Sequence, residues 1–375
     1  MKKIAILGAS YLQLPIVKKA KENGIEVHCF AWDDDKAVCK KEVDFFYNIS
    51  VLEKEMILEK CREINIDGIT TIATDICIPT ISFVANHLNL KGNSLKCAEL
   101  TTNKSKMRAS FNQNNILSPK FITVSGFNES DFKDFRFPVI VKPIDRSGSL
   151  GVVKVNHIDE LASSIIKSIK FSFSKQCIVE EFVFGREISV ETVSWNGAHR
   201  IIAFTDKIVT KAPFFVELEH HQPADLQPKL QGHIEDVVIN VLQSTQVENG
   251  ISHVELLIDQ NNNIYVIEIG SRMGGDFIGS DLVSLSTGID FLQICLDISL
   301  DQLTFPIKPG KQSFSGVYFL SEETSYLLPY FNASSPPAFI VKKERFDHLL
   351  KAVESSNDRS GYMIYQADKK IILKK

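Results

Sequence analysis

Two apolar strands, each carrying one glutamate and joined by a turn of Asp and Asn, constrain this 375-residue chain more than any other feature. They read SHVELLIDQNNNIYVIEIG, residues 252–270. Short β-prone runs around such a turn predict an antiparallel hairpin. A turn centred on Asn261 and Asn262 puts Glu255 directly across from Glu268, on one face, with Cβ atoms about 5 Å apart. Like charges so placed repel, and apolar neighbours raise the cost of ionising them. A hard divalent cation bridged by both carboxylates resolves the conflict, Mg²⁺ with phosphate oxygens completing its shell. Two solvated glutamates on an exposed sheet face, or one proton shared between them, are the alternatives. The strand then breaks into Gly270, Arg272, Gly274 and Gly275.

Around the hairpin the pattern changes twice. Up to about residue 100, apolar runs such as KKIAILG, IEVHCFAW and IDGITTIAT alternate with helical stretches, which predicts a parallel α/β domain. From Thr101 a helix over TTNKSKMRASFNQNNI leads into strand-like runs (SPKFITV, FPVIVKPI, QCIVEEFV, REISVETVSW, HRIIAFTDKIV) with one helix over DELASSIIKSIKFSF. LQGHIEDVVINVLQ carries one apolar face and predicts an amphipathic helix. Pro306 and Pro309-Gly310 mark a linker before a tail of short strands and a helix near RFDHLLKAVES. The fold class is thus α/β plus α+β, divided as 1–102, 103–190, 191–304 and 305–375.

Net charge of −4 with no Lys/Arg block excludes a nucleic-acid or anionic-membrane surface. No apolar run approaches the roughly 20 residues of a spanning helix, and the first strand is too short for a signal segment. Seven scattered cysteines without a C-x-x-C pair fit a reducing, cytoplasmic setting. ILGASYLQLP keeps only Gly8 of a dinucleotide fingerprint and reads as a plain strand-to-helix turn.

Other residues carry chemistry in combination. Lys142 ends an apolar strand and is followed by Ser147, Gly148, Ser149 and Gly151. An ammonium beside backbone that turns freely suits a polyphosphate, although a strand-end lysine before a tight turn looks the same. Glu180 and Glu187 flank the reversal at Gly185 and could accept from an amino group and from ribose hydroxyls. Lys104 alone says nothing.

In order, Lys104, Lys142 with its Gly/Ser turn, VEEFVFGREISVE, then Glu255, Glu268 and Arg272 resemble the ATP-grasp superfamily over about residues 4 to 300. The N-terminal part resembles the domain preceding the grasp in biotin carboxylase, carbamoyl phosphate synthetase and D-alanine–D-alanine ligase. VELEHHQPADL resembles the Glu-x-x-His-x-x-Pro element of the L-amino acid ligases, and the tail SSNDRSGYMIYQADKK resembles their C-terminal domain. The resemblance implies that Lys104 and Lys142 contact ATP phosphates under a lid at Ser147, Gly148, Ser149 and Gly151. It gives adenine to Glu180 and the backbone at Val183, ribose to Glu187, and Mg²⁺ (or Mn²⁺) to Glu255 and Glu268. Glu217, His220 and Arg272 face a carboxylate substrate, with Gly274 and Gly275 offering amides to an oxyanion.

The implied activity is a carboxylate–amine ligase with amino-acid-like small-molecule substrates, in which Lys142 and Arg272 assist the transfer. A bicarbonate-using carboxylase or carbamoyl-phosphate-type enzyme is a second reading, and a nucleotide-binding protein without catalysis a third. A homodimer is compatible with each. One departure stands out: the family's usual Glu-x-Asn reads Glu268-Ile269-Gly270, so an oxygen ligand is missing and Gly270→Asn is expected to be tolerated.

Overall fold

The computed structural model describes every residue except Ser149, 211–213 and 374–375. Strands β1 (Lys3–Leu7), β2 (Glu26–Ala31), β3 (Phe45–Asn48) and β4 (Gly68–Thr70) form a parallel sheet in the order β3-β2-β1-β4. Helices α1 (Leu14–Glu22), α2 (Lys54–Ile64) and α3 (Ile78–Leu88) connect or follow these strands. Proline in the first turn pre-sets the start of α1 and α3. Left-handed Asn65 and Asn89 end α2 and α3.

Two further helices, α4 (Leu95–Thr102) and α5 (Lys104–Gln113), meet at Asn103, whose side chain accepts from the Lys106 amide and caps α5. A small antiparallel sheet follows: β5 (Phe121–Val124), β6 (Val139–Pro143), β7 (Val153–Val155) and, after helix α6 (Leu161–Phe171), β8 (Cys177–Glu181).

The third sheet holds eight strands. It comprises β9 (Arg186–Trp195), β10 (Ala198–Val209), β11 (Glu217–Gln222), and, after α7 (Pro228–Ser244), β12 (Gly250–Ile258) and β13 (Ile264–Gly270). Short helices α8 (Val283–Thr287) and α9 (Phe291–Ser299) lead to β14 (Phe314–Leu320), α10 (Leu328–Asn332), β15 (Ile340–Arg345) and β16 (Gly361–Ala367). The order is β13-β12-β9-β10-β11-β14-β16-β15, so the tail extends the central sheet through β11–β14 pairing.

The helix expected near RFDHLLKAVES is absent: 346–355 is irregular. Its carbonyls bond outward, to Arg345 from Asp347 and His348 and to Ser360 from Leu349, in place of a helical ladder. No single helix among the described residues is long and apolar enough to cross a membrane.

In the β12–β13 hairpin, Ile258 faces Ile264 and Leu256 faces Val266, a turn one position tighter than expected. A bulge at Ile267 then shifts the register, so that Glu255 does face Glu268 and His253 faces Gly270. The bulged carbonyl of Ile267 accepts from Arg108 Nη2 at 2.6 Å. Arg108, on α5, is fully buried and also donates to Glu180 Oε1 at 2.7 Å. Removing one partner of a buried pair leaves the other charge uncompensated, so Arg108→Leu is expected to lower the unfolding free energy by about 3–5 kcal/mol. Urea denaturation of variant and wild type measures this; a loss below about 1 kcal/mol would sink the assignment of Arg108 as the anchor.

Candidate functional site

The three sheets meet around a cavity of about 730 Å³. Lys104, Lys142, Ser147, Gly148, Glu180, Val183, Glu187, Glu217, His220, Glu255, Glu268, Arg272 and Gly275 all line it. Gly151 does not; it lies beside Pro143 and Phe171. Ser149 is outside the described residues.

Most of these side chains are placed by a strand or a helix, whereas Ser147 and Arg272 stand on the turns that follow β6 and β13. Lys142 leaves β6 and meets Glu180 of β8 at 2.7 Å. Burial pulls the Lys142 ammonium pKa down, only partly opposed by Glu180. Burial would raise the Glu180 carboxyl, but Arg108 and Lys142 override it and keep it ionised. Its two oxygens are each taken by one of these cations, so Glu180 is not the open acceptor that the sequence suggests. Lys104, the first residue of α5, bonds Glu268 at 2.9 Å and the Arg146 carbonyl at 2.7 Å.

The Glu255/Glu268 opposition is relieved within the protein. Lys104 holds Glu268, while Lys207 Nζ of β10 lies 2.7 Å from Glu255, 2.9 Å from Glu187 and 3.6 Å from Glu217. Burial opposes the Lys207 charge, but those three carboxylates hold its pKa well above the usual lysine value. Burial likewise favours a neutral Glu255, and Lys207 and then His253 override it, keeping that carboxyl well below its ordinary range. Burial dominates at Glu187 and raises its pKa despite Lys207.

His253 stands between Glu191 Oε1 on its Nδ1 and Glu255 Oε1, 3.3 Å from its Nε2. Burial disfavours the imidazolium, yet Glu191 and then Glu255 push its pKa up to about 9. The Gly274 amide donates to Glu191 Oε2 at 3.1 Å, so it serves this buried pair and does not face an oxyanion.

At the other end, Arg272 grips Asp75, in the turn after β4, with Nε and Nη2 at 2.8 Å each. That is the two-bond edge the resemblance would give to a substrate carboxylate. The room that Gly270→Asn would need is occupied: a Cβ at residue 270 would lie 2.5 Å from Asp75 Oδ1, so the Asp75 carboxylate must move to admit it. Among the described residues neither ring nitrogen of buried His220 has a hydrogen-bond partner, Nε2 lying 3.9 Å from Asp276 Oδ2, and burial lowers its pKa. Arg359, from the tail, bonds Glu217 at 3.0 Å and Asp276 at 2.8 Å. Burial favours a neutral Asp276, and Arg359 overrides it, lowering its pKa.

Asp75, Arg108, Glu191, Lys207, His253, Asp276 and Arg359 escaped the sequence reading. His253 had a signal: two residues before Glu255 on one strand, it shares that face. Asp75 and Arg359 come from distant segments and had none.

The titration of His253 has a measurable consequence. Its folded pKa of about 9 exceeds the unfolded value of about 6.5, so its contribution to stability is full below that lower value and is lost as pH rises through the higher one. The stability difference between wild type and His253→Gln should therefore shrink between pH 6.5 and 9.5. Urea denaturation at four pH values checks this, and a difference that grows with pH would contradict it.

Residues 135–281 match the family described as the ATP-grasp domain. Over 309 residues the chain is 24% identical to the alanine–anticapsin ligase of Bacillus subtilis, a match covering 73% of this chain and 65% of the relative. The chain therefore spans under two thirds of that relative's length. Among solved structures, the L-amino acid ligase from Bacillus licheniformis superposes with a TM-score of 0.80 at 22% identity, over 98% of this chain and 94% of that one. Biotin carboxylase from Campylobacter jejuni gives 0.74 at 17%, over 98% and 88%. The segment 135–281 is thus similar to the ATP-grasp domain, and the chain has the fold that L-amino acid ligase and biotin carboxylase share.

Proposed function

We propose that the protein is an ATP-dependent carboxylate–amine ligase acting on amino-acid-like small molecules. The observation that carries this is Glu255 facing Glu268 in one cavity with Lys104 and Lys142, while Glu217, His220 and Arg272 line the same space. In this reading the chain divides into an N-terminal α/β part (1–102), a lid (103–190), a large part with the reaction centre (191–304) and a tail (305–375).

The donor set fits Mg²⁺. Glu255 and Glu268 each use Oε1 toward lysine, and Oε2 of each has no hydrogen-bond partner among the described residues. Hard carboxylate oxygens suit that ion. Among the described residues no three His, Cys, Asp or Glu side chains group as a metal site, so phosphate and water oxygens would supply the remaining ligands. Bound there, Mg²⁺ would neutralise charge on the phosphates.

The protein's own groups then have defined tasks. Lys142, whose buried ammonium is incompletely compensated, gains a counter-charge when a polyphosphate enters. Lys104 can hand its charge from Glu268 to a phosphate oxygen, freeing that carboxylate for the metal. The substrate carboxylate oxygen attacks the γ-phosphorus and the bond to the β–γ bridging oxygen breaks, giving ADP and an acyl phosphate. An amine then attacks the acyl carbon, phosphate leaves with the C–O electrons, and a proton is lost from nitrogen. Positive charge from Lys142 and Arg272 spreads the developing negative charge. Burial favours neutral His220, which stands at the cavity wall with Nε2 3.9 Å from Asp276 Oδ2 and would help shape the substrate end.

Two variants test the reading. Glu268→Gln is expected to lower acid-dependent ADP release by at least about 100-fold with unchanged circular dichroism. Turnover at the wild-type level in Mg²⁺ would refute the metal assignment. Arg272→Lys keeps the charge but loses the planar fork. It should raise the apparent constant for the acid by roughly 30- to 1000-fold and that for ATP little. Steady-state kinetics over a panel of L-amino acids, with acid and ATP varied separately, measures both. An equal rise in the two constants would assign Arg272 to the phosphates.

A further inference from the structure

Gly270 and Asp75 occupy one another's space, although 195 positions separate them in the chain. Asp75 is 8% exposed and belongs to the N-terminal sheet's last turn, outside the segment 135–281 that matches the ATP-grasp domain. The same turn is docked by its backbone, since the Ala73 amide donates to the Met273 carbonyl at 3.1 Å. A Cβ built on Gly270 would lie 2.5 Å from Asp75 Oδ1 and 3.1 Å from both Cζ and Nε of Arg272. No residue with a side chain fits at 270 while Asp75 stays in place.

The bonding of Arg272 is equally restrictive. A guanidinium has five N–H donors. Nε and one Nη2 hydrogen go to Asp75, and one Nη1 hydrogen goes to the Met273 carbonyl at 3.2 Å. One hydrogen remains on each terminal nitrogen, which together form the end edge of the fork. Burial opposes the Arg272 charge, but Asp75 overrides this and raises its pKa.

We propose that Asp75 is a positioning residue for Arg272. By filling one edge it presents only the end edge to the acid substrate, and Gly270 is the room this carboxylate requires. The inference rests on the ligase reading for the identity of the anion that Arg272 meets. It also explains the departure from Glu-x-Asn. An asparagine's own oxygen lies about 2.4 Å from its Cβ, which is close to the separation between Asp75 Oδ1 and the Cβ position of residue 270. An asparagine at 270 could thus supply an acceptor near the same place, but only in the absence of Asp75.

The test is a cycle of variants: Asp75→Ala, Gly270→Asn and the two combined, with Asp75→Asn as the shape-preserving control. The first readout needs no substrate. Phenylglyoxal labelling at Arg272, mapped by mass spectrometry, should quicken about tenfold in Asp75→Ala and in Gly270→Asn. It should return to within about threefold of wild type in the double variant, with Asp75→Asn in between. The second readout is kinetic: the KM for the acid should follow the same pattern while that for ATP stays within about twofold. Wild-type labelling in Asp75→Ala, or a double variant no better than the single one, would overturn the proposal. Calorimetry with MgADP separates this from the ligase reading. Failure of the wild type to bind MgADP would count against the ligase, while the labelling cycle would still decide the role of Asp75.

Discussion

A fully buried guanidinium is tolerable only when hydrogen bonds replace its lost water, and Arg108 is such a group. It spends one donor on Glu180 and one on the carbonyl of Ile267. The first bond fixes a carboxylate at the end of β8 in the small antiparallel sheet. The second anchors the bulge in β13. Because strand side chains alternate between faces, pairing without the bulge would set Ile267 opposite Glu255 and send Glu268 to the other face of the sheet. One buried arginine therefore ties the small sheet to the register of the β12–β13 hairpin, and the carboxylate pair depends on it more than on the turn that joins the strands.

The charges around the cavity nearly cancel before anything binds. Its described lining holds eight Asp and Glu, six Lys and Arg, and His253, which stays protonated to about pH 9. Such a surface does not attract a triphosphate by excess positive charge. In the proposed reading, binding proceeds by exchange, with each phosphate oxygen replacing a carboxylate beside a lysine, and each released carboxylate requiring a new partner. Lys104 on Glu268 and Lys207 on Glu255 are the two pairs where this exchange is set up. A divalent cation arriving with the nucleotide is the natural partner for the released oxygens. Repulsion between two glutamates was the reason to expect a metal from the sequence. The structure replaces that argument with one from charge balance, since lysines already relieve the repulsion.

Much of this was legible in the chain, for unequal reasons. The parallel N-terminal sheet follows from strand–helix alternation, and the Glu255/Glu268 opposition from counting outward from the Asn turn. That count reached the right pair through two offsetting departures, a tighter turn and a bulge, neither visible in the residue pattern. The tail helix failed because apolar spacing at Phe346, Leu349, Leu350 and Val353 cannot reveal that the backbone carbonyls will be taken by Arg345 and Ser360. Lys207 and His253 were hidden for another reason. A lone charged residue in a strand reads as solvated until its partners on neighbouring strands are known. Asp75 and Arg359 depend wholly on how separate parts dock.

That docking divides the cavity into two kinds of surface. Lys142, Glu180, Glu187, Glu255 and Glu268 fall within the matched segment 135–281, while Lys104 reaches them from α5 before it. The far end is completed by Asp75 of the N-terminal sheet against Arg272 and by Arg359 of the tail against Glu217 and Asp276. In the proposed reading, substitutions at Asp75 or Arg359 reshape the substrate end while the Lys142–Glu180 and Lys207–Glu255 pairs stay in place. Gly270 marks where the two surfaces touch. It stands two residues from Glu268 on the strand of the proposed metal site, yet the space a Cβ there would need is taken by a carboxylate from the turn after β4. A pattern read along that strand alone sees a lost ligand; with Asp75 in place, it is a contact between domains that leaves no volume for one.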